Sequence, residues 1–96
     1  MYPELDAAAE AAIDACLECF RVCHGMAMGH CLETGGDHAR PRHFRLMIGC
    51  AELCRATATL LLGQAPKASA VARACADICD ACAHDCDRLR DMPDCV

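Results

Sequence analysis

A chain of 96 residues is expected to form one small domain spanning 1–96. A net charge of −5 with no clustered Lys/Arg run argues against nucleic acid or an anionic membrane surface as partner, and no segment reaches the ~18 apolar residues of a membrane span. Cysteine is the outlier. Its 11 copies exceed the roughly 8–10 % at which a short chain suggests a cysteine-built scaffold. The other apolar mass is largely Ala and Leu, with no Trp and only 2 Phe, so hydrophobic burial alone is thin.

The N-terminal stretch MYPELDAAAE has neither a basic region nor a continuous apolar run. No secretory signal is read there, and a cytoplasmic location with reduced thiols is expected. The first helix is predicted from about Glu4 to Leu32, with Pro3 near its start and Gly35-Gly36 as its stop. After the loop TGGDHARPR, a second helix is predicted from about Arg42 to Leu62, closed by Gly63 and the QAPKA turn. Pro66 or Ser69 opens a third, which continues to about Arg90. In DMPDCV, Asp91 could cap a further helix with Pro93 in its first turn. Nothing alternates with period two, so strands are not expected. The expected fold is all-α, of antiparallel four-helix-bundle type, with three helices clear and a fourth only begun at the C-terminus. One side of such a core needs a partner chain or a further helix, and a homo-oligomer is expected.

The third helix carries CADICDACAHDC, in which Cys75, Cys79, Cys82 and Cys86 step by four, three and four. At ~100° per residue they fall within about a 60° arc. The same steps in the second helix select His43, Met47, Cys50 and Cys54, and in the first helix Cys16, Cys19, Cys23, Met26 and His30, with Cys31 beside the end. Acidic and basic residues such as Asp14, Glu18, Arg21, Glu52, Arg55, Asp77 and Asp80 occupy the other faces. One such Cys or Met is ordinary packing; a file of them on each of three helices points to metal ligands.

Disulfides fit poorly. Helix neighbours three or four apart hold Cβ atoms about 5–6 Å apart, against about 3.5–4.5 Å across a disulfide. Soft thiolate and thioether donors select Cu(I), zinc or Fe–S clusters. Zinc and Fe–S centres draw four ligands to one point, usually from CxxC turns. The CxxxC pairs Cys19/Cys23, Cys50/Cys54, Cys75/Cys79 and Cys82/Cys86 lie in rows on helices instead. Rows suit several ions of low coordination with bridging sulfurs, and one Cu(I) per thiolate leaves the interior neutral. Geometry therefore favours Cu(I). An Fe–S or zinc redox protein and a metal-free thiol bundle are the alternatives.

DACLECFRVC, HFRLM, GCAELC and CADICDACAHDC followed by DMPDC together resemble the cysteine-rich four-helix-bundle copper-binding proteins, among them the cytosolic copper-storage proteins. The resemblance runs from about Ala12 to Cys95. It implies antiparallel helices whose inward CxxxC thiolates load many Cu(I) ions for storage or detoxification, a copper donor protein or chelate as partner, and a tetrameric assembly. Relatives usually have a complete fourth helix, and richer members could hold cysteine where Ala12 and Met26 stand here, so a lower capacity is expected.

HGMAMGH places Met26 and His30 at the end of the bundle shared with His43, Met47, His84, Cys86 and Met92, whereas Leu60, Leu61 and Leu62 lie at the other. Copper is expected to enter at the Met/His end. His24 and Met28 fall off the stripe, and His38 in the GGDHARP turn is read as solvated. His84 lies off the cysteine face, no Cys–His nucleophile pair is formed, and no enzymatic activity is expected.

Overall fold

The computed structural model describes residues 5–89, and every regular element among them is helical. Helix α1 spans Ala7–Gly25 and starts later than its apolar pattern suggests. Asp6 caps it, its Oδ1 accepting the Ala9 N–H at 2.7 Å and satisfying an otherwise orphaned first-turn donor. Pro3 and Glu4, expected at this start, lie outside the described residues.

The α-helical ladder does not continue to Leu32. Met26–Cys31 is π-helical, followed by a short α-turn, Leu32–Thr34. A π-segment closes hydrogen bonds from i to i+5 and so turns less per residue than the α-helix. This changes which side chains face inward. Ala27 and Cys31 are buried, while Met26 and His30 are only half-buried. Uniform α-periodicity expects Met26 and His30 on the stripe and Cys31 at its edge; the π-segment buries Cys31 and sets His30 against His38, while Met26 still packs against the sulfur centre.

Gly35 (φ 71°) and Gly36 (φ 57°) take left-handed backbone conformations, which glycine adopts without Cβ strain. They turn the chain into a 3-10 turn at Gly36–Ala39 and thence into α2, Pro41–Leu62. Pro41 occupies the first turn of α2, where its missing N–H costs nothing. Gly63, Gln64 (φ 51°) and Lys67 (φ 73°) then reverse the chain into α3, Ala68–Leu89.

Helix α2 packs against both α1 and α3. The three sulfur files converge where they meet, giving a buried centre of Ala27, Cys31, Met47, Cys50, Cys54, Cys75 and Cys82. An apolar trough of about 340 Å³ runs between α1 and α3, lined by Ala12, Cys16, Cys75 and Ala76, with Cys54, Thr57 and Leu61 of α2 also along it. Asp91, Pro93 and Cys95, where a fourth helix is expected to begin, lie outside the described residues. On the outer faces, Arg21–Glu18 (2.7 Å) and Arg55–Glu52 (2.6 Å) are exposed ion pairs of the kind that contribute little. No described helix is long and apolar enough to cross a membrane.

Candidate metal centre

No disulfide joins the described cysteines, and most of them form one continuous sulfur ladder. Cys54 of α2 lies 3.5 Å from both Cys75 and Cys79 of α3. Cys79 Sγ is 3.4 Å from Cys50 and 4.0 Å from Cys19 of α1. Cys19 in turn contacts Cys50 at 3.8 Å and Cys23 at 3.7 Å, and Cys23 meets Cys50 at 3.9 Å. These separations greatly exceed the ~2.05 Å of a disulfide. They are close to those of sulfurs sharing a metal, since bonds of ~2.3 Å put tetrahedral ligand sulfurs about 3.8 Å apart.

Two groups of ligand atoms lie within 4.8 Å of one another: Cys19, Cys50, Cys54 and Cys79, and Cys23, Cys50 and Cys82. Cys50 belongs to both. Two ions placed in them would share its sulfur, so the chain offers a bridged array rather than a pair of isolated centres.

The ladder changes character toward the Met/His end. Met47 is 3 % exposed and turns its thioether to Cys82 (3.4 Å) and Cys86 (3.6 Å). Beyond it, His43 is held from both sides. Its Nδ1 lies 2.6 Å from Asp85 Oδ2, and its Nε2 lies 3.6 Å from Cys31 Sγ. Arg88 Nε donates to the other oxygen of Asp85 at 3.2 Å. A carboxylate on one imidazole nitrogen leaves the other as a fixed lone pair, the arrangement that orients metal-binding histidines. Burial opposes ionisation of Asp85, but the bonds from His43 and Arg88 outweigh it and hold the carboxyl below its usual range.

Proton affinities within the ladder diverge. Burial, reinforced by neighbouring thiols, pushes Cys50 and Cys54 up, and burial takes Cys79 to about 11. Hydrogen bonding to Cys23, then to Cys86, raises Cys82. The same bond from Cys82 is the largest influence on Cys23 and outweighs burial, bringing it down to about 6; Cys86 is likewise lowered by Cys82. Cys16 is raised by burial and then by Cys75 across the trough. Without metal, the raised thiols Cys16, Cys50, Cys54, Cys79 and Cys82 keep their protons at neutral pH, and an incoming cation must displace them.

The geometry thus gathers Cys16, Cys19, Cys23, Cys50, Cys54, Cys75, Cys79, Cys82, Cys86 and Met47 along the helix interfaces, and pairs Cys31 with His43. Met26 packs against this centre from a half-buried position, and His30 faces elsewhere, against His38. Sequence periodicity passes over Asp85, which flanks the α3 stripe one residue before Cys86. It also misplaces His38, which is 2 % exposed rather than solvated, because the two left-handed glycines fold the turn back onto the helix end. His84 is exposed. At the far end Leu60 and Leu61 are half-buried and Leu62 is 38 % exposed.

Comparison with known proteins agrees with this geometry. The crystal structure of the Nmul_A1745 protein from Nitrosospira multiformis superposes with a TM-score of 0.84 at 46 % identity, covering 92 % of this chain and 81 % of that one. The cysteine-rich protein YhjQ of Bacillus subtilis is 32 % identical over 79 residues, 82 % of this chain and 72 % of YhjQ. Residues 5–96 match the family described as copper storage protein, a storage rather than a catalytic family. With its sulfur ladder set between helices, this chain belongs to the copper storage protein family.

Proposed function

We propose that this protein takes up several Cu(I) ions per chain on the thiolates of Cys16, Cys19, Cys23, Cys31, Cys50, Cys54, Cys75, Cys79, Cys82 and Cys86. Met26, His30, His43 and Met47 serve as neutral donors at one end, and the purpose is copper storage or detoxification in the cytoplasm. The observation that carries this reading is the membership of Cys50 in both ligand groups. A bridging sulfur suits a multinuclear array, and Cu(I) accepts the low coordination that such sharing imposes. Each Cu(I) bound with loss of a thiol proton adds no net charge to the interior.

The cargo arrives from a copper donor protein or a small chelate. Chains associate into a homo-oligomer, a reading supported by the apolar trough and by Leu17, Val22, Met28 and Leu32 left exposed on the first helical segment.

A single zinc or Fe–S centre with a redox or structural role is the second reading. One observation favours it: Cys19, Cys50, Cys54 and Cys79 are spaced as a tetrahedral centre requires. It leaves Cys23, Cys31, Cys82 and Cys86 without a part. Anaerobic titration of the reduced protein with Cu(I) against a competing chelator, with oligomer size read on the same samples, separates the two. Several tightly held ions per chain are expected; saturation at one or none would reject copper storage.

A further inference from the structure

His30 and His38 stand apart from the sulfur ladder, and their surroundings are unlike those of His43. His43 has a partner at each ring nitrogen, Asp85 on one side and Cys31 on the other. His38 is 2 % exposed, yet neither Nδ1 nor Nε2 has a hydrogen-bond partner among the described residues. His30 Nε2 is also sealed from solvent with no such partner. A neutral imidazole carries one N–H and one lone pair, and burying either unmet is unfavourable. Here several unmet nitrogens share one end of the bundle.

The two rings lie edge to face, with centroids 5.5 Å apart and planes at 85°. Two imidazoles bound to one ion through nitrogens at ~2.0–2.1 Å place their centroids about 5 to 6.5 Å apart for angles between tetrahedral and linear. The observed separation lies in that window. The left-handed Gly35 and Gly36 turn the chain so that His38 is buried beside His30.

We propose that His30 and His38 form a separate all-nitrogen site for one Cu(I), beside but not part of the thiolate array. Imidazole suits copper, and the angle of ~120° that this separation implies suits a three-coordinate Cu(I) completed by one further small ligand, where zinc would ask for four. Both ligands are neutral, so the ion keeps its charge in a buried place and is held more weakly than on thiolate. The site fills after the sulfurs and surrenders its ion first. It rests on the copper reading above and assigns to His38 a role that its position in a loop conceals.

Anaerobic Cu(I) titration of the whole protein labelled with ¹⁵N-histidine tests this, because Cu(I) is diamagnetic and leaves the imidazole signals visible. Ultraviolet thiolate-to-copper absorption, followed on the same samples, reports the sulfur sites independently. The nitrogens of His30 and His38 are expected to shift together over one common equivalent, after that absorption has levelled, while exposed His84 does not move. His38→Phe, which keeps a ring against His30, should bind one ion fewer per chain with full thiolate absorption. Unmoved His30 and His38 signals beside normal thiolate absorption would overturn the site, leaving a mere edge-to-face ring contact and the copper store intact. Absence of both responses would overturn the copper reading as well.

Discussion

Asp85 of α3 reaches across to α2 and lies 2.6 Å from Nδ1 of His43, which fixes the nitrogen that meets Cys31. With its proton on Nδ1, the ring presents the Nε2 lone pair to the Cys31 sulfur at 3.6 Å. Asp85→Asn keeps the shape but loses the charge, and its amide can donate where the carboxylate only accepted. Loss of such an orienting partner typically costs about 10–100-fold in metal affinity. The variant should therefore release one of its coppers to a chelator more readily, by a factor of that order, with total capacity unchanged. Equal retention of every ion would show that the pair serves packing alone.

Cys50 and Cys16 provide a contrast within the ladder. Cys50 lies in both ligand groups, whereas Cys16 is in neither and lines the trough between α1 and α3. Cys50→Ser should lower bound copper by more than one ion per chain or redistribute the rest into weaker sites. Cys16→Ser should remove at most one. Metal analysis of the two variants after chelator challenge distinguishes a bridged array, where the losses differ, from independent sites, where they match.

The helices and the sulfur files were legible because each rests on a local rule. Steps of three and four set the stripe on α2 and α3, and Pro41 and Gly63 mark the ends of α2. Two features depended on contacts that periodicity does not carry. The π-segment at Met26–Cys31 adds width to one turn and moves Cys31 inward in place of His30, a change no α-helical wheel can register. Asp85 is one of several aspartates in α3, and only the approach of His43 from another helix singles it out. His38 is buried because its turn folds back, which composition alone, polar and glycine-rich, argues against.

The displaced proton affinities give the metal-free form a characteristic pH profile. Folded Cys79 holds its proton to about 11, and Cys50, Cys54 and Cys82 are also raised, against about 8.5 for a thiol in the unfolded chain. Between those values the folded state binds more protons than the unfolded one. This contribution to stability is complete below about pH 8.5 and is lost as pH rises through the folded values. The apo melting temperature should fall steeply from about pH 8.5 to 11. The copper-loaded form has no such protons to lose and should change far less. Parallel thermal melts of both forms at pH 7, 9 and 10.5 make the comparison, and parallel slopes would contradict it.

Binding should also add stability outright at neutral pH. A centre of cysteine, alanine and one buried methionine supplies little apolar area, and metal bridges between α1, α2 and α3 tie the helices directly. Any ligand held by the folded state alone stabilises it in proportion to the logarithm of its concentration over Kd. The melting temperature should climb with each copper equivalent until the thiolates are full. A flat trace would mean that the ladder is already closed without metal.

The order in which ions reach the thiolates should depend on the neutral donors at the Met/His end. Met47 forms the step between that end and the ladder, with its sulfur against Cys82 and Cys86, while Met26 is half-buried and so remains partly reachable from outside. A thioether binds Cu(I) without losing a proton, so it can pass an ion on without the displacement that each buried thiol requires. Met47→Leu and Met26→Leu conserve volume and should fold normally. Replacing both, together with His30 and His43, should slow loading several-fold in stopped-flow absorption while full thiolate-to-copper absorption is still reached at the end, the only ion lost being the one assigned to His30 and His38. If loading is as fast as in the parent protein, copper reaches the ladder from the trough side, where Cys16, Cys19, Cys75 and Cys79 line the gap between α1 and α3.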